Sequence, residues 1–383
     1  MSAWKAEDQL NAILIEAASI PCDDCPVEDL NLEFPPYYDE KLFKRGQDYY
    51  QQNIFAMHTG MFSGLIGVLA VPSILRVLIF TERSGTACLA YRRYFQTILH
   101  TALWFDDTLN PNSKSWKSLL MIRKRHLLTG KSAYKHGAGL ISQKDMALTQ
   151  FGFMGFILIR PHLLGIKHDN LKDRQALVHV WRCLGYILGI KEKYNICRES
   201  FEETLELCEL LLQKVYKPNL THCSKDFVKM TKILVQGLQG QAPLLEYHAY
   251  MFFTKRLADV ESYKYLESDY PPNENKEMEQ AYKKLGWYSR FSLFLIVGIH
   301  SYLLSIPLFR WYYNLEKRFH MIIDRYIPYL AIYKFGWKNA FVDIRVDTPL
   351  PDSNSKPNAT TTAYATERFN DLDHHLLLQL SII

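Results

Sequence analysis

The stretch SQKDMALTQFGFMGFILI, residues 142–159, decides the fold class of this chain. Ser142, with Asp145 three residues later, has the pattern of a capping box, which begins a helix. From Met146 to Ile159 no charged residue follows, so this helix has no face suited to water. We therefore predict that it is central and enclosed on all sides by the rest of the protein.

Helical patterns continue along nearly the whole chain on both sides of this segment. Periodic apolar segments with caps or helix breakers at their ends predict helices near 40–52, 54–70, 71–80, 84–104, 113–130, 173–188 and 200–216. Gly130 and Pro218 are expected to end the helices that precede them. Only AFVDIRV, near residue 340, alternates as a strand does. The sequence therefore predicts an all-α protein.

The chain is long and apolar enough to bury a large core, since 48% of its 383 residues are hydrophobic. We predict a single large helical domain over 40–340, preceded by an N-terminal extension over 1–39. A flexible C-terminal tail is expected over 347–383, because its first part is rich in Pro, Ser, Thr and Asn.

Charge and cysteine usage argue against two classes of protein. The formal net charge is only +5, with acids interleaved among the bases, so nucleic acid is not an expected partner. Seven scattered cysteines argue against a disulfide scaffold. Cys22 and Cys25, in PCDDCP, have zinc-ligand spacing but no second pair nearby, so a solvated loop is the preferred interpretation.

Two uncharged runs raise the possibility of membrane contact. One lies between Tyr49 and Leu75, and the other, FSLFLIVGIHSYLLSIPLF at 291–309, is framed by Arg290 and Arg310. Its length of 19 residues is close to what a bilayer span needs. A buried helix of a large all-α protein has the same composition, so both interpretations stay open. No cleavable signal peptide is visible, and membrane association is expected mainly through 291–309.

The segment SLLMIRKRHLLTGKSAYKHG, residues 118–137, contains seven basic or histidine residues and no acid. On a helical wheel Arg123 and His126 fall within the apolar stripe that holds Trp116 and the leucines 119, 120 and 127. The remaining bases of its first half, Lys117, Lys124 and Arg125, fall on the other side. A buried arginine needs an anionic partner or ligand, so Arg123 and His126 are candidates for a site.

The preceding helix, in LAYRRYFQTILH, carries one polar line on an otherwise apolar surface. Arg93 and Thr97 are four residues apart and lie on one face, with Gln96 and His100 near the same line. Such a line faces either solvent or a lined cavity, and the pattern alone does not separate the two.

Together these segments resemble the latex clearing protein or rubber oxygenase family, in particular its eukaryotic, membrane-associated branch. That branch includes the endoplasmic-reticulum-bound oxygenase of mycophenolic acid biosynthesis. The similar motifs are RRYFQT, IRKRH some thirty residues later, GLISQKDMALTQFGFMGFILIRPHLLGI and LVHVWRCLGYILGI, within about 55–260.

The resemblance implies a globin-like, all-α core that holds haem b and uses dioxygen to cleave a C=C bond of an isoprenoid. It places His126 at the position of the proximal iron ligand, with Arg123 three residues before it as a haem-binding residue. It places Arg93 and Thr97 over the face where oxygen binds, as catalytic residues. The implied partners are a lipophilic substrate, dioxygen and a membrane, and the implied location is the endoplasmic reticulum.

Two departures keep a second hypothesis open. The rubber oxygenases have a lysine where this chain has Gln96, and a carboxylate upstream of the distal arginine where the nearest acid here, Glu82, is offset. A haem-binding or sensor protein that no longer catalyses, associated with an intracellular membrane, is therefore the alternative to an active oxygenase.

Overall fold

The computed structural model describes residues 4–166, 170–270, 280–344 and 346. Within these ranges the regular elements are helices, and the sole β-type pairing is one isolated bridge between Pro21 and Ser142. The prediction of an all-α protein is confirmed. The helices are α1 Ala6–Leu14, α2 Glu40–Gln52, α3 Ile54–Leu69, α4 Pro72–Phe80, α5 Ala87–Asp106, α6 Lys114–Lys135, α7 Gln143–Ile159, α8 Leu171–Ile187, α9 Phe201–Leu211, α10 Lys217–Thr221, α11 Lys225–Leu238, α12 Tyr247–Leu257, α13 Gln280–Lys283, α14 Trp287–Ser301, α15 Pro307–Tyr326, α16 Tyr329–Phe335 and α17 Trp337–Ala340.

Helix α7, the uncharged segment, lies at the centre as predicted. Its capping box forms, with Ser142 accepting from the amide of Asp145 and the Asp145 carboxylate accepting from the amide of Ser142. Its residues are buried on every face, and the ring of Phe151 stacks on Tyr216 at 4.3 Å between centroids. The Tyr216 hydroxyl donates to the Leu148 carbonyl at 2.6 Å, so the phenol is satisfied inside the core.

Helix α3 packs directly on α7 because two glycines let the backbones touch. A Cβ added at Gly64 would overlap the Gly152 carbonyl, and one added at Gly152 would strike the Val68 side chain. A larger residue at Gly64 would therefore push the two helices apart. This crossing fixes α3 against the central helix and holds the scaffold behind the site.

The segment that follows α17 was predicted to be a strand, and this is wrong for its described residues, 341–344. Its contacts place it along α5. The Tyr91 hydroxyl donates to the Ala340 carbonyl at 2.7 Å, Gln96 Nε2 donates to the Asp343 carbonyl at 3.3 Å, and Val342 is buried. The alternation of apolar residues in this segment therefore reflects its packing against helix α5.

Packing also extends to the N-terminal side of residue 40. Helix α1 lies against α9, and its Ile13 is fully buried in the same core as α7. Cys22 is buried too, with its amide bonded to the Ile141 carbonyl at 2.8 Å. The expectation of a solvated loop is thus wrong for Cys22, whose thiol pKa is raised to about 12 by burial.

Two predicted helix ends moved for local reasons. Helix α6 passes Gly130, which is packed against Ile141, and ends where Gly137 takes the left-handed conformation at φ 73°. The amides of Gly137 and Ala138 then bond the carbonyls of Tyr134 and Ala133, a Schellman motif. Pro218 does not stop the helix before it, because a wide π-turn over Leu212–Tyr216 precedes α10 and places Pro218 in its first turn.

The apolar run at 291–309 is divided between two helices, α14 and α15, with a short 3-10 turn at Leu303–Ser305 between them. Among the described residues, no single helix has the length and apolar character of a membrane span. The bent pair α3 and α4, at 89°, meets that test only when taken together. The predicted tail at 347–383 lies outside the described residues.

Candidate functional site

Helices α5 and α6 form an antiparallel hairpin, closed at one end by a polar cluster. Ser118 Oγ of α6 lies 2.8 Å from His100 Nδ1 and accepts from Trp104 Nε1 at 2.9 Å. Nearer the connecting loop, Ser115 Oγ donates to the Leu103 carbonyl at 3.2 Å. These contacts fix which residues of the two helices face each other.

Counting along both helices from this cluster places the predicted site residues at one level. Arg93 lies two turns from His100, and Arg125 lies two turns from Ser118, so each is displaced by roughly 10 Å in the same direction. Arg93 therefore faces Arg125 and its neighbour His126 across the groove between the helices. The positive charge of Arg93 is close enough to disfavour protonation of His126.

His126 has the properties of a neutral imidazole available to a ligand. Burial, followed by the charge of Arg93, lowers the pKa of the ring to about 4. Its Nδ1 is buried and has no hydrogen-bond partner in the described structure. The residue nevertheless keeps partial exposure. Protein atoms therefore surround Nδ1, while the residue as a whole stays partly accessible.

Arg93 approaches His126 from α5. Its Nη1 donates to Thr81 Oγ1 at 3.0 Å and to Ser84 Oγ at 3.2 Å, both in the loop between α4 and α5. Burial lowers the pKa of its guanidinium, and no carboxylate of the described residues forms an ion pair with it. The neighbouring acid of that loop, Glu82, is exposed and has a left-handed backbone, with φ 54°.

Thr97 lies one turn from Arg93 on the same side of α5, as predicted. Its side chain is exposed, and its hydroxyl donates to the Arg93 carbonyl at 3.2 Å. Gln96, the residue that departs from the rubber oxygenase pattern, turns to the other side and donates to the Asp343 carbonyl. The structure therefore brings Arg93 near His126, leaves the Thr97 side chain exposed one turn along α5, and turns Gln96 to another segment.

Arg123 has an anionic partner from the chain itself. Its Nε and Nη2 donate to the two carboxylate oxygens of Asp23, each at 2.8 Å, and Nη1 donates to the Ile187 carbonyl at 3.1 Å. Burial alone would lower the pKa of Arg123, but the bonds and charge of Asp23 outweigh it and raise the pKa. The burial of this arginine is thus explained without a ligand, and its role in haem binding stays a prediction.

Arg125 was placed on the solvated side of the wheel, and this is wrong. The side chain is half-buried, and burial together with the charge of Arg83 lowers its pKa. The physical reason is that two sides of α6 pack against the rest of the protein. Its leucine stripe packs on one side, and the line through Ser118 and Arg125 faces α5.

Other histidines are less suited to a ligand. His179 Nε2 accepts from the Asp39 amide at 3.2 Å. His300 has a buried Nε2 with no partner, a feature that the sequence did not reveal. Its ring is only 2% exposed and lies 5.5 Å from the ring of Phe55 and 5.6 Å from that of Phe253. The unpartnered Nδ1 of His126 is buried as well, but the residue as a whole keeps the partial exposure that His300 lacks.

The described residues contain no cluster of three or more His, Cys, Asp or Glu side chains arranged to hold a metal ion. Cys22 and Cys25 therefore do not belong to such a cluster either. A single imidazole beside a groove is instead the donor set that suits an iron already held by a porphyrin, which supplies four nitrogens of its own.

Comparison with known proteins gives one structural likeness. This chain is distantly similar in structure to a latex clearing protein. The solved structure is that of latex clearing protein in its closed state, with a TM-score of 0.43 and 14% sequence identity over 82% of this chain and 85% of that one. No protein-family model matches the sequence, and no curated protein matches it.

Proposed function

We propose that this protein is a haem b-dependent oxygenase that uses dioxygen on a lipophilic, unsaturated substrate of isoprenoid type, with oxidative C=C cleavage as its reaction. The observation that carries the proposal is the position of His126. A neutral, unpartnered imidazole faces Arg93 across a groove, and both residues occur in the motifs that resemble the rubber oxygenase family. Arg123, also in those motifs, would support the helix that carries His126.

The residues present fit a haem. His126 would hold the haem iron through one nitrogen, offered from a mostly apolar helix face. The groove also contains arginines without carboxylate partners, which suits a group with acidic side arms. Bound there, haem would supply the ability to activate dioxygen.

The chain's own residues would control charge and water around that reaction. Arg93 uses only Nη1 in its bonds to Thr81 and Ser84, so other N–H groups of its guanidinium remain to stabilise negative charge that develops on oxygen. The Thr97 hydroxyl, beside it, could turn from the Arg93 carbonyl to donate to the same oxygen. These donors act most strongly when substrate and apolar walls exclude water.

A catalytically inactive haem-binding or sensor protein is the second candidate, and one contact favours it. Arg93 is held by two hydroxyls, from Thr81 and Ser84, and the segment 72–80 before this loop, where the family resemblance would place a carboxylate base, contains no acid. No group described here takes the place of that base.

An absorption spectrum tests for bound haem, and the rate of oxygen consumption then tests for oxygenase activity. The purified full-length chain is expected to show a Soret band, and to consume oxygen when a polyene such as a polyisoprene oligomer is added. A Soret band without polyene-dependent oxygen consumption would support the sensor alternative. A colourless chain that gains no Soret band on addition of haem would contradict both candidates.

We also propose that the protein binds a membrane surface, and the family resemblance suggests the endoplasmic reticulum. Large apolar side chains are exposed along α14 to α17, among them Trp287 at 81% and Leu308 at 68%. We call this set of exposed apolar and aromatic side chains the aromatic face. Its other members are Tyr288, Phe291, Phe294, Tyr302, Ile306, Phe309, Trp311, Tyr312, Phe319, Ile327, Tyr329, Tyr333 and Trp337. The exposed Lys283 and Lys284 lie beside Trp287 in sequence, so the face joins apolar anchors to positive charge.

Vesicle binding tests this attachment. The full-length chain is expected to sediment with phosphatidylcholine vesicles containing phosphatidylserine, and Trp287→Glu with Phe294→Glu should reduce the bound fraction on the order of tenfold or more, because each places a charge in the interface. Tyr134→Glu is the matched control, since Tyr134 is 71% exposed but lies on α6. Equal binding by the double variant and the parent would contradict attachment through this face.

A further inference from the structure

Two arginines near the groove have no partner in the described chain. Arg83, in the loop between α4 and α5, and Arg125, on α6, make no hydrogen bond or ion pair to the described residues. The positive charge of Arg83 is close enough to Arg93 and to Arg125 to lower the pKa of both guanidinium groups. The positive charges of these arginines therefore repel one another, with Arg83 exposed to solvent and Arg125 half-buried.

Four other partly or fully buried arginines among the described residues are neutralised by a carboxylate. The pairs are Arg123 with Asp23, Arg160 with Glu209, Arg182 with Glu192, and Arg256 with Asp269. Arg125 is half-buried and has no such partner among the described residues, and its guanidinium lies near another cation. Because an enclosed, unpaired charge is costly, the arrangement is typical of a site whose anion comes from a ligand.

The hairpin geometry places these two arginines around Arg93. Ser84, the neighbour of Arg83 in sequence, is buried and accepts from Arg93, which brings the loop to the α5 side of the groove. Arg125 faces Arg93 from the α6 side, at the level derived from the His100–Ser118 contact. His126, next to Arg125, borders the same space.

We propose that Arg83 and Arg125 form a clamp for the two carboxylates of the ligand that occupies the groove. The inference rests on the proposed function, in which that ligand is haem b and the carboxylates are its propionates. It assigns to Arg83 and Arg125 the anion-binding role that the sequence had given to Arg123. Arg123 cannot serve both, since Asp23 already accepts from two of its nitrogens.

The clamp can be tested without iron and without turnover. The full-length chain, purified from haem-depleted cells, is titrated with metal-free protoporphyrin IX and with its dimethyl ester, and porphyrin fluorescence is followed. The parent is expected to bind the diacid at least about tenfold more tightly than the diester, because only the diacid forms charge-assisted bonds to the arginines. Arg83→Ala with Arg125→Ala should weaken the diacid on the order of tenfold or more and leave the diester unchanged.

Arg92→Ala is the matched control, because Arg92 is on α5 but donates to the Asn339 carbonyl outside the groove. It should keep the parent's preference for the diacid. Far-ultraviolet circular dichroism of all variants checks that the helices are intact.

Different failures have different meanings. Equal binding of diacid and diester by the parent, or a preference that survives the double substitution, overturns the clamp and leaves the haem proposal standing. Binding of neither porphyrin overturns both. If inorganic phosphate binds the parent and not the double variant, without competing with the diacid, the arginines serve a free anion and their assignment to the porphyrin is wrong.

Discussion

His126→Ala is expected to give a folded chain that has lost most of its haem. The substitution removes the imidazole that faces the groove with Nδ1 unpartnered, and burial holds the pKa of that ring near 4, so the ligand is neutral at neutral pH. Little else should change, since no hydrogen bond of the fold depends on Nδ1. The measurement is Soret absorbance per mole of chain, with circular dichroism to confirm helix content.

His136→Ala supplies the comparison for this result. His136 caps the end of the same helix, is exposed, and bonds through Nδ1 to the Ser132 carbonyl at 2.8 Å. It should keep the parent spectrum. Loss of haem in His136→Ala together with a parent-like spectrum in His126→Ala would show that the proximal ligand has been misplaced. A shifted Soret band in His126→Ala would instead indicate that another side chain has replaced the imidazole.

The second large effect is expected on the other wall of the groove. Arg93→Ala and Thr97→Ala should each keep haem but lose oxygenase activity, by roughly 10²-fold or more, because their donors stabilise charge that develops mainly in the transition state. The rate of polyene-dependent oxygen consumption, at equal haem content, measures the loss. Thr97→Ser, which restores the hydroxyl, should recover a substantial part of the activity.

Arg92, the residue before Arg93 on α5, provides the control for the Arg93→Ala and Thr97→Ala variants. Arg92→Ala removes a guanidinium one position away that points to Asn339, and it should leave turnover unchanged. Since Thr97 is exposed and bonds only to its own helix, an effect of Thr97→Ala cannot be attributed to a disrupted core. Unchanged turnover in both groove variants would place the oxygen-binding side elsewhere, with His100 as the next residue to test.

The sequence predicted those parts of the fold that depend on local interactions. The capping box at Ser142 forms as expected, and the helices predicted near 84–104, 113–130 and 200–216 begin at the caps Thr86, Ser113 and Ser200, because a side-chain oxygen and an amide three residues later are enough to define a cap. Gly130 failed as a helix end because a glycine also suits close packing, and which use applies depends on Ile141, a residue of another segment.

The site was predicted in part, for a related reason. A helical wheel gives the angle of His126 and Arg123 correctly, but it does not show how many neighbours cover a helix. That is why Arg125 was assigned to water although α5 covers its side. The partner of Arg123 could not be predicted from the sequence either, because Asp23 is 100 residues away along the chain.

The closure of the hairpin at Ser118 also determines which changes of chain length the site can tolerate. A residue inserted in the loop between α5 and α6 leaves the His100–Ser118 contact, and everything beyond it, in register. A residue inserted between Ser118 and His126 would turn the imidazole by about 100° and move it out of the groove. Relatives that share this site should therefore keep two intervals within helices, from His100 back to Arg93 and from Ser118 on to His126, while the loop between them varies freely.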